Sequence, residues 1–404
     1  MTIAPFVRPR TRLPVDHHLA RVLELASPQP AVLVDLRSAR GRVLAADVHA
    51  PADLPAFDNA AMDGYAFCRA DLPNGHGALP VSADIPAGRP LGHALAPGTA
   101  ARIMTGAPLP DGADSVVQVE WTEAGTDVVH VRRVPPAGGN VRRRAQELPG
   151  GALLLSAGTE LTPVRLGLLA AVGVARVTVQ RRTRVAVLTA GNELVAPGAL
   201  RGAGRVFDAD ATLLTALLDA DGAATTVLPA HPDDPDLVLA MLSTAAVDHD
   251  LILTAGGISA GAYEVVKQAL GPLGSVQFGN IAMTPGSPQG HGRIATTPVL
   301  ALPGNPTAAL VSYLAFVRPF LQRCQGAPAA PAPHLVVTAH AMNTRRDATT
   351  FVPAAIEHGG VSPLARALGS AHHLTSFAGA DVVLRLDPRD GPLAAGALVP
   401  VLCV

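Results

Sequence analysis

The chain has 404 residues, of which 49% are hydrophobic and 16% are charged, and its formal net charge is −1. This length predicts roughly two to four domains, and the composition excludes an intrinsically disordered protein. The near-zero charge provides no general attraction for nucleic acid or for an anionic membrane surface. No apolar run reaches the ~18 residues that a membrane span requires.

The first half of the chain predicts a helix followed by a β-rich module. Residues 15–25 have the apolar spacing of an amphipathic helix, and a strand is expected before residue 47. From Ala50 to about Gly139, proline, glycine and short Val/Ile runs predict a small β module. The first ten residues lack the long apolar core of a signal peptide, and the three cysteines have no metal or redox spacing. We therefore expect a cytoplasmic protein.

The second half alternates between strand and helix patterns. Strands are predicted at 184–189, 250–253 and 299–302, and helices at 213–220, from Asp234-Pro235, at 263–270 and at 307–322. This alternation predicts a parallel sheet with ligands at the carboxyl ends of its strands. Residues 325–333 predict a linker, and residues 335–404 predict short strands and turns.

Three glycine-rich turns lie between residues 254 and 306. They are Thr254-Ala-Gly-Gly-Ile-Ser-Ala-Gly261, Thr284-Pro-Gly-Ser-Pro288 and Leu302-Pro-Gly-Asn-Pro306. Each turn taken alone is explained as an ordinary turn in a chain with 39 Gly and 37 Pro. The first and third, however, follow strand patterns, and backbone N–H groups in such loops can approach an anion. The three together predict a site for a multiply anionic ligand, such as a nucleotide-linked cofactor.

Five sequence runs resemble the molybdopterin molybdotransferase family (MoeA) and the homologous E domain of gephyrin. The runs are Pro55-Ala-Phe-Asp-Asn-Ala-Ala-Met-Asp-Gly-Tyr-Ala66, Arg102-Ile-Met-Thr-Gly-Ala-Pro-Leu-Pro110, Gly139-Asn-Val-Arg-Arg-Arg144, Gly256-Gly-Ile-Ser259 and Leu302-Pro-Gly-Asn-Pro306. The resemblance covers nearly the whole chain. It implies an α/β multidomain protein of four parts with a central α/β domain whose sheet is parallel or mixed.

The resemblance also implies domain bounds, an assembly and a reaction. The first domain would comprise 1–50 and 140–180, an inserted β domain 51–139, the α/β molybdopterin-binding domain 181–327 and a β-barrel-like domain 328–404. Family members are homodimers whose active site lies between the third domain of one subunit and the second of the other. They hydrolyse adenylylated molybdopterin (molybdopterin-AMP), release AMP and insert molybdate, using a divalent cation such as Mg²⁺.

The resemblance assigns site residues in the second domain and beside it. Asp63 and Thr105 match the family's carboxylate and hydroxyl, although an aspartate before glycine is usually a turn residue. Arg142, Arg143 and Arg144 suit phosphate recognition, or else form a solvated surface. Glu147 replaces a family aspartate.

Further site residues are assigned in the third domain. Glu193, Glu264 and Lys267 are expected to be catalytic, and Asp63, Glu193, Asp233 and Asp234 to hold the metal, with helix capping as the other role of the last two. Asn192 and Glu264 stand where the family has aspartate. The cofactor is expected at these glycine-turn residues: Gly256, Gly257, Ser259, Gly286, Pro303, Gly304 and Asn305.

The largest departure from the family is a missing basic cluster. Family enzymes carry lysines at the positions of Asn280, Thr284 and Ser287 around the second glycine turn. Of the 31 basic residues only Lys267 is lysine, so a bias toward arginine is present, but it cannot explain uncharged replacements. Molybdate would lose charge-assisted partners worth roughly 1.5–3 kcal/mol each.

These departures leave three functions open. The first is molybdenum insertion, with activity that the replacements impair. The second is a gephyrin-like scaffold that binds a partner peptide, such as the tail of a cell-division protein, at the junction of the third and fourth domains. The third is an enzyme diverted to another adenylylated substrate.

Overall fold

A computed structural model describes residues 12–229, 234–259, 261, 264–327, 334–358 and 363–404. Asp233 and most of the predicted linker therefore lie outside the described residues. In this part of the chain no helix is long and apolar enough to cross a membrane.

The described part of the N-terminal region, residues 12–180, contains two α-helices and twelve strands. They are α1 (Val15–Glu24), β1 (Ala31–Asp35), β2 (Val48–His49), β3 (Asn59–Ala60), β4 (Gly64–Phe67), β5 (Gly77–Ile85), β6 (Ala100–Ile103), β7 (Ser115–Gln118), β8 (Thr122–Glu123), β9 (Val128–Val131), β10 (Val141–Arg142), β11 (Leu153–Leu155), α2 (Pro163–Ala171) and β12 (Arg176–Gln180). The predicted first helix is present and buries Val15, His18 and Val22 along one side.

A six-stranded sheet, here called the N-terminal sheet, has the strand order β7-β4-β6-β5-β9-β8. Alternate residues of β4 enter two cores, Ala66 on one face and Tyr65 and Phe67 on the other. The chain on either side of this sheet pairs with itself, because β1 pairs with β12, β2 with β11 and β3 with β10, all antiparallel. The chain thus enters and leaves the β-rich module through strands that pair with each other.

The central region contains the predicted alternation of strands and helices. Its elements are β13 (Arg184–Thr189), β14 (Leu194–Val195), β15 (Val206–Phe207), α3 (Ala209–Ala220), β16 (Ala224–Val227), α4 (Pro235–Asp248), β17 (Leu251–Ala255), α5 (Val265–Leu270), β18 (Val276–Asn280), β19 (Met283–Thr284), β20 (Pro288–Ile294), β21 (Thr297–Leu302), α6 (Pro306–Ser312) and α7 (Arg318–Cys324). A π-helical turn, Tyr313–Val317, joins α6 to α7.

The central sheet has the order β16-β13-β17-β21-β20-β18 and is mixed. Its first four strands are parallel, whereas β20 pairs antiparallel with both β21 and β18. One core holds side chains of α3, α6 and α1 against the sheet, and a second core on the other face holds those of α4 and α5. Both faces are therefore covered, as parallel strands require.

The structure corrects several predicted bounds. The strand expected at 250–253 is Leu251–Ala255, because the Asp250 carboxylate instead accepts hydrogen bonds from Arg181 and Arg184. The helix expected from Leu213 begins at Ala209, because Asp208 caps it by accepting a hydrogen bond from the Ala211 N–H at 2.9 Å. The helix predicted at 263–270 has Val265 as its first described residue.

The C-terminal region forms the expected barrel. Its elements are β22 (Leu335–Thr338), β23 (Thr349–Glu357), β24 (Leu364–Ala367), α8 (Leu374–Ala378), β25 (Val382–Leu386) and β26 (Leu398–Cys403). The order β23-β24-β22-β26-β25 closes because β25 also pairs with β23. Strand β19, which begins the second glycine turn, pairs in parallel with β23 and joins that turn to the barrel.

Candidate functional site

Three loops meet at the carboxyl edge of the central sheet. Strands β13, β17 and β21 are parallel neighbours, and the loops that follow them begin at Ala190, Gly256 and Pro303. Backbone hydrogen bonds join the loops directly, from the Ala190 N–H to the Ala255 carbonyl at 2.9 Å and from the Gly256 N–H to the Leu302 carbonyl at 3.0 Å. The first and third glycine turns therefore form one surface, as the sequence predicted.

Glycine is required where these turns touch. A Cβ atom on Gly304 would lie 2.8 Å from the Cα of Gly256, and one on Gly256 would lie 2.3 Å from the Ala190 carbonyl oxygen. Gly257 has a φ of +66°, in the left-handed region, and its Cβ would lie 3.0 Å from the Val266 nitrogen. The result is a surface of bare backbone, which an anionic group can approach closely.

Glu264 holds the loop that contains Ser259. Its two carboxylate oxygens accept hydrogen bonds from the Ser259 N–H at 2.6 Å and from the Gly261 N–H at 3.0 Å. The exposed Lys267 ammonium group lies 3.5 Å from the Ser259 carbonyl oxygen, so it points toward this loop. The Ser259 N–H is engaged within the protein, and the Lys267 side chain is the cation that the loop presents to a ligand.

The second glycine turn lies against α6, the helix that follows the third turn. A Cβ on Gly286, whose φ is +101°, would lie 2.9 Å from the Ser312 hydroxyl oxygen. The buried Gln289 amide donates hydrogen bonds to the Gly286 carbonyl at 2.7 Å and to the Ser312 hydroxyl at 2.6 Å. The Ser287 hydroxyl donates to the Ile281 carbonyl at 2.9 Å, so this residue closes the turn where the family has lysine.

Asn305 has a structural role at the start of α6. Its side-chain oxygen accepts hydrogen bonds from the Thr307 N–H at 3.1 Å, the Thr307 hydroxyl at 2.7 Å and the Ala308 N–H at 3.4 Å. This is the N-cap arrangement, which satisfies backbone donors that the helix itself leaves unpaired. The helix begins directly at the third glycine turn.

Of the predicted metal ligands, Asp63, Glu193 and Asp234 lie in the described residues, and these three are not brought together within one chain. Asp234 caps α4 by accepting from the Asp236 and Leu237 N–H groups at 3.0 and 3.2 Å. Across the described ranges, no group of three His, Cys, Asp or Glu side chains is placed to hold a metal ion. The exposed Glu193 carboxylate has no hydrogen-bond or ion-pair partner in that part of the chain, and it lies over Gly191, where a Cβ would come within 2.7 Å. Glu193 therefore has a carboxylate that is not paired within the described residues and is available to a ligand.

The sequence prediction missed a buried acidic pair beside these turns. Thr189, the last residue of β13, donates its hydroxyl hydrogen to Asp208 at 2.6 Å. Asp210, in the first turn of α3, is 5% exposed, and burial together with the Asp208 charge raises its pKa to about 7. The signal in the sequence was an aspartate at the cap and another in the first turn of a helix, but that pattern does not reveal burial.

Asp63 and Thr105 form a second constellation in the N-terminal sheet. One Asp63 carboxylate oxygen accepts from the Thr105 N–H at 2.7 Å and from the Thr105 hydroxyl at 2.8 Å, and these bonds lower the Asp63 pKa. Asp63 thus stays ionised and exposed. The next residue, Gly64, must be glycine because a Cβ there would lie 1.9 Å from the Val117 carbonyl oxygen. No hydrogen bond or ion pair among residues of the described ranges joins this pair to the glycine turns.

Two of the three predicted phosphate-binding arginines are paired internally. Arg143 forms an ion pair with Asp58 at 2.7 Å, and Arg144 forms one with Asp53. Arg142 lies in β10, is exposed and has no ion-pair partner in the described part of the chain. Only Arg142 presents an uncompensated charge, and the other two hold the Asp53 and Asp58 loop in place.

Comparison with known proteins places the whole chain in one group. Residues 13–173 match the MoeA N-terminal region (domain I and II), residues 186–323 match a probable molybdopterin binding domain, and residues 336–404 match the MoeA C-terminal region (domain IV).

Individual relatives agree with these matches. A protein of Mycobacterium tuberculosis named molybdopterin molybdenumtransferase 2 is 40% identical over 96% of this chain and 98% of its own. The molybdopterin molybdenumtransferase of Haemophilus influenzae is 31% identical over the same shares. A crystal structure of a MoeA molybdopterin biosynthesis protein from Pyrococcus horikoshii superposes with a TM-score of 0.78 at 28% identity, covering 97% of this chain and 99% of that one.

Proposed function

The chain belongs to the MoeA family, and from this membership we propose that it is a molybdopterin molybdenumtransferase, which inserts molybdenum into molybdopterin during molybdenum cofactor biosynthesis. The observation that carries the proposal is the joined surface of the first and third glycine turns, where a Cβ at Gly256 or Gly304 would collide with the neighbouring loop. The substrate is adenylylated molybdopterin, whose phosphates suit a backbone surface of this kind.

Different residues of the chain have different roles in binding this substrate. The bare backbone at Gly256, Gly257 and Gly304 lets phosphate oxygens approach, and α6 directs its positive end toward the third turn. Lys267 adds a positive charge beside the Ser259 loop, whose shape Glu264 fixes. A water that attacks the phosphate would be oriented by a carboxylate, and the Glu193 carboxylate at this edge is unpaired among the described residues.

Glu193 is also the residue that would hold a divalent cation such as Mg²⁺. Mg²⁺ commonly takes one or two protein carboxylates together with substrate phosphates and several waters, so a single free carboxylate fits this pattern. A cation bound there polarises the phosphate oxygens.

We propose that the working enzyme is a homodimer with a shared site. Asp63 and Thr105 lie in the N-terminal sheet, whereas the glycine turns lie in the central region, and within one chain no described contact joins them. A second subunit that brings its Asp63 to these turns would complete the site. Light scattering should therefore show a dimer at micromolar concentration, and a monomer would contradict the shared site.

The alternative functions gain no support from the structure. Nothing in the geometry of the described residues favours a peptide scaffold or a different adenylylated substrate over molybdenum insertion. The replaced residues Asn280, Thr284 and Ser287 concern how tightly molybdate is held, because the backbone surface of the first and third turns is retained.

The direct test is an assay of the purified protein with adenylylated molybdopterin. AMP release should be seen, and molybdenum cofactor should form only in the samples that contain molybdate. Glu193→Gln should reduce both strongly. Absence of AMP release at every molybdate concentration would contradict the proposal, and the fold of each protein would be verified by circular dichroism.

A further inference from the structure

A cavity of about 460 Å³ lies at the outer edge of the central sheet, away from the joined glycine turns. It is enclosed by α1, by the edge strand β18 and by β20. Leu13 closes one end, because it pairs with Ile281 as an isolated bridge and its N–H donates to the Asn280 carbonyl at 3.1 Å. A volume in this range is typical of small-molecule pockets.

The polar lining of the cavity consists of hydrogen-bond donors and neutral groups. These residues are His18, Arg21, Gln277, Asn280, Gln289 and His291. No carboxylate is among the described residues that line it, and Arg21 has no ion-pair partner in the described ranges. Arg21 thus places an uncompensated positive charge at a cavity that contains no negative one.

The two histidines of the cavity are packed against each other. The ring centroids of His18 and His291 are 5.1 Å apart in an edge-on arrangement, and the His18 ring also packs edge-on against Phe316 at 4.6 Å. His18 is 2% exposed, and its Nδ1 atom has no hydrogen-bond partner in the described part of the chain. A buried imidazole nitrogen without a partner is costly, which indicates that this wall of the cavity serves a purpose other than packing.

We propose that this cavity binds a small oxoanion, held by the Arg21 guanidinium and by N–H donors of the imidazole and amide side chains around it. The ligand is a free tetrahedral oxoanion or the phosphate or sulfate group of a small metabolite. A planar guanidinium is well suited to such groups because it offers paired N–H donors. The absence of a lining carboxylate excludes a cation as the favoured ligand.

The charged groups that act on the two rings strengthen the effect of an anion. Burial is the main cause that lowers the pKa of both histidines, that of His18 to about 3, and the neighbouring His291 and then Arg21 lower the pKa of His18 further. Arg21 also lowers the pKa of His291, while Glu24 acts on it in the opposite direction. A bound anion would oppose the Arg21 effect and raise both pKa values.

Gln289 and Ile281 connect this cavity to the second glycine turn, Ile281 through its hydrogen bond with Ser287. Gln289 lines the cavity and donates its amide hydrogens to Gly286 and Ser312. Because both Gln289 amide hydrogens are used in these bonds, the amide donors left for an anion are those of Gln277 and Asn280. The cavity itself is separate from Lys267 and the first glycine turn.

Isothermal titration calorimetry on the full chain tests the site with inorganic phosphate, sulfate and molybdate as probes. We expect saturable binding of at least one of them, weakened at least tenfold by Arg21→Gln, the loss of one charge-assisted contact. His291→Phe keeps the ring but removes its donor and should weaken binding several-fold. Arg37→Gln, which removes an exposed arginine of the N-terminal region, should leave the affinity unchanged.

Lys267→Ala distinguishes this cavity from the glycine turns. Binding that survives Lys267→Ala but not Arg21→Gln supports the proposal, and crystals containing tungstate should then show an anomalous peak between Arg21 and His291. The reverse sensitivity would place the anion at the glycine turns and overturn it. Absence of binding by all three probes at ten-millimolar concentration would overturn it as well. A free ion and a phosphorylated metabolite are separated by comparing phosphate with a small phosphomonoester.

Discussion

The Glu264 carboxylate accepts a hydrogen bond from the Ser259 N–H at 2.6 Å, and its other oxygen accepts one from the Gly261 N–H at 3.0 Å. The Glu264 side chain therefore spans back over the glycine loop and fixes it through both carboxylate oxygens. Glu264 is thus a loop-holding residue in this protein.

Replacing Glu264 should loosen the first glycine turn. We expect Glu264→Ala to weaken AMP binding about five- to tenfold, because two backbone donors lose a charged acceptor and the loop must be ordered by the ligand. Hydrogen–deuterium exchange at Ser259 and Gly261 should accelerate in the same variant. Glu160→Ala, at an exposed site far from the loop, is the matched control. Unchanged exchange at Ser259 would show that the loop does not depend on this carboxylate.

Adding one methyl group at Gly304 should separate the first and third turns. The new Cβ would lie 2.8 Å from the Gly256 Cα, where only backbone can move, so Gly304→Ala should cost about 1–3 kcal/mol of unfolding free energy. The loss in AMP binding free energy should exceed the loss in unfolding free energy, because the substitution displaces the backbone surface that binds AMP. Both quantities are measured by denaturant titration and calorimetry.

Gly167→Ala is the control for this experiment. Gly167 lies within α2, and a Cβ there meets no atom within 4 Å, so alanine should stabilise the protein by about 0.5–1 kcal/mol through its helix propensity. If the two substitutions behaved alike, close contact between the turns would not be the reason that position 304 is glycine.

The raised pKa of Asp210 predicts how the stability of the protein depends on pH. Its pKa is 3.8 when unfolded and about 7 when folded, so between these values the folded state keeps a proton that the unfolded state has released. This contribution to stability is complete below about pH 4 and is lost as the pH rises through 7. Asp210→Asn removes the ionisation. The unfolding free energy of the variant minus that of wild type should therefore be larger at pH 8 than at pH 5, by on the order of 2–4 kcal/mol.

The measurement is denaturant unfolding of wild type and Asp210→Asn at both pH values. Asp127→Asn, at an exposed site with no side-chain hydrogen bond in the described residues, should show no such difference. An Asp210→Asn protein that is destabilised equally at pH 5 and pH 8 would show that Asp210 is not a protonated, buried acid.

The sequence predicted the elements of the central sheet better than it predicted their ends. The alternation of strand and helix patterns from 184 to 324 is confirmed because each element carries its own periodicity. The start of α3 was missed because Asp208 caps the helix from within a loop, and the start of β17 because Asp250 is drawn into ion pairs with Arg181 and Arg184. Such ends depend on tertiary partners that a local pattern does not contain.

For the candidate site, the sequence identified the glycine turns but not the partners of the charged residues. Nothing in the run Arg142 to Arg144 shows that Arg143 and Arg144 pair with Asp58 and Asp53, which lie more than eighty residues earlier in the chain. Similarly, the buried position of Asp210 follows from how α3 packs on the sheet. Charge assignments depend on long-range contacts, whereas a glycine turn is a local feature of the backbone.

Restoring the missing lysines should lower the molybdate concentration that the protein requires. Asn280, Thr284 and Ser287 carry no charge, whereas lysine at each position would offer a charge-assisted contact worth roughly 1.5–3 kcal/mol to an oxoanion. The variant Asn280→Lys, Thr284→Lys, Ser287→Lys, with Asn192→Asp, should therefore need at least tenfold less molybdate, a difference of about 1.4 kcal/mol. Glu264 is kept, because its carboxylate fixes the Ser259 loop.

The readout is growth of a strain that lacks molybdotransferase, at normal and at millimolar molybdate, with glutamine at the same three positions as the uncharged control. The natural sequence should rescue growth only at the higher level. Full rescue by the natural sequence at normal molybdate would show that this protein holds molybdate without those lysines.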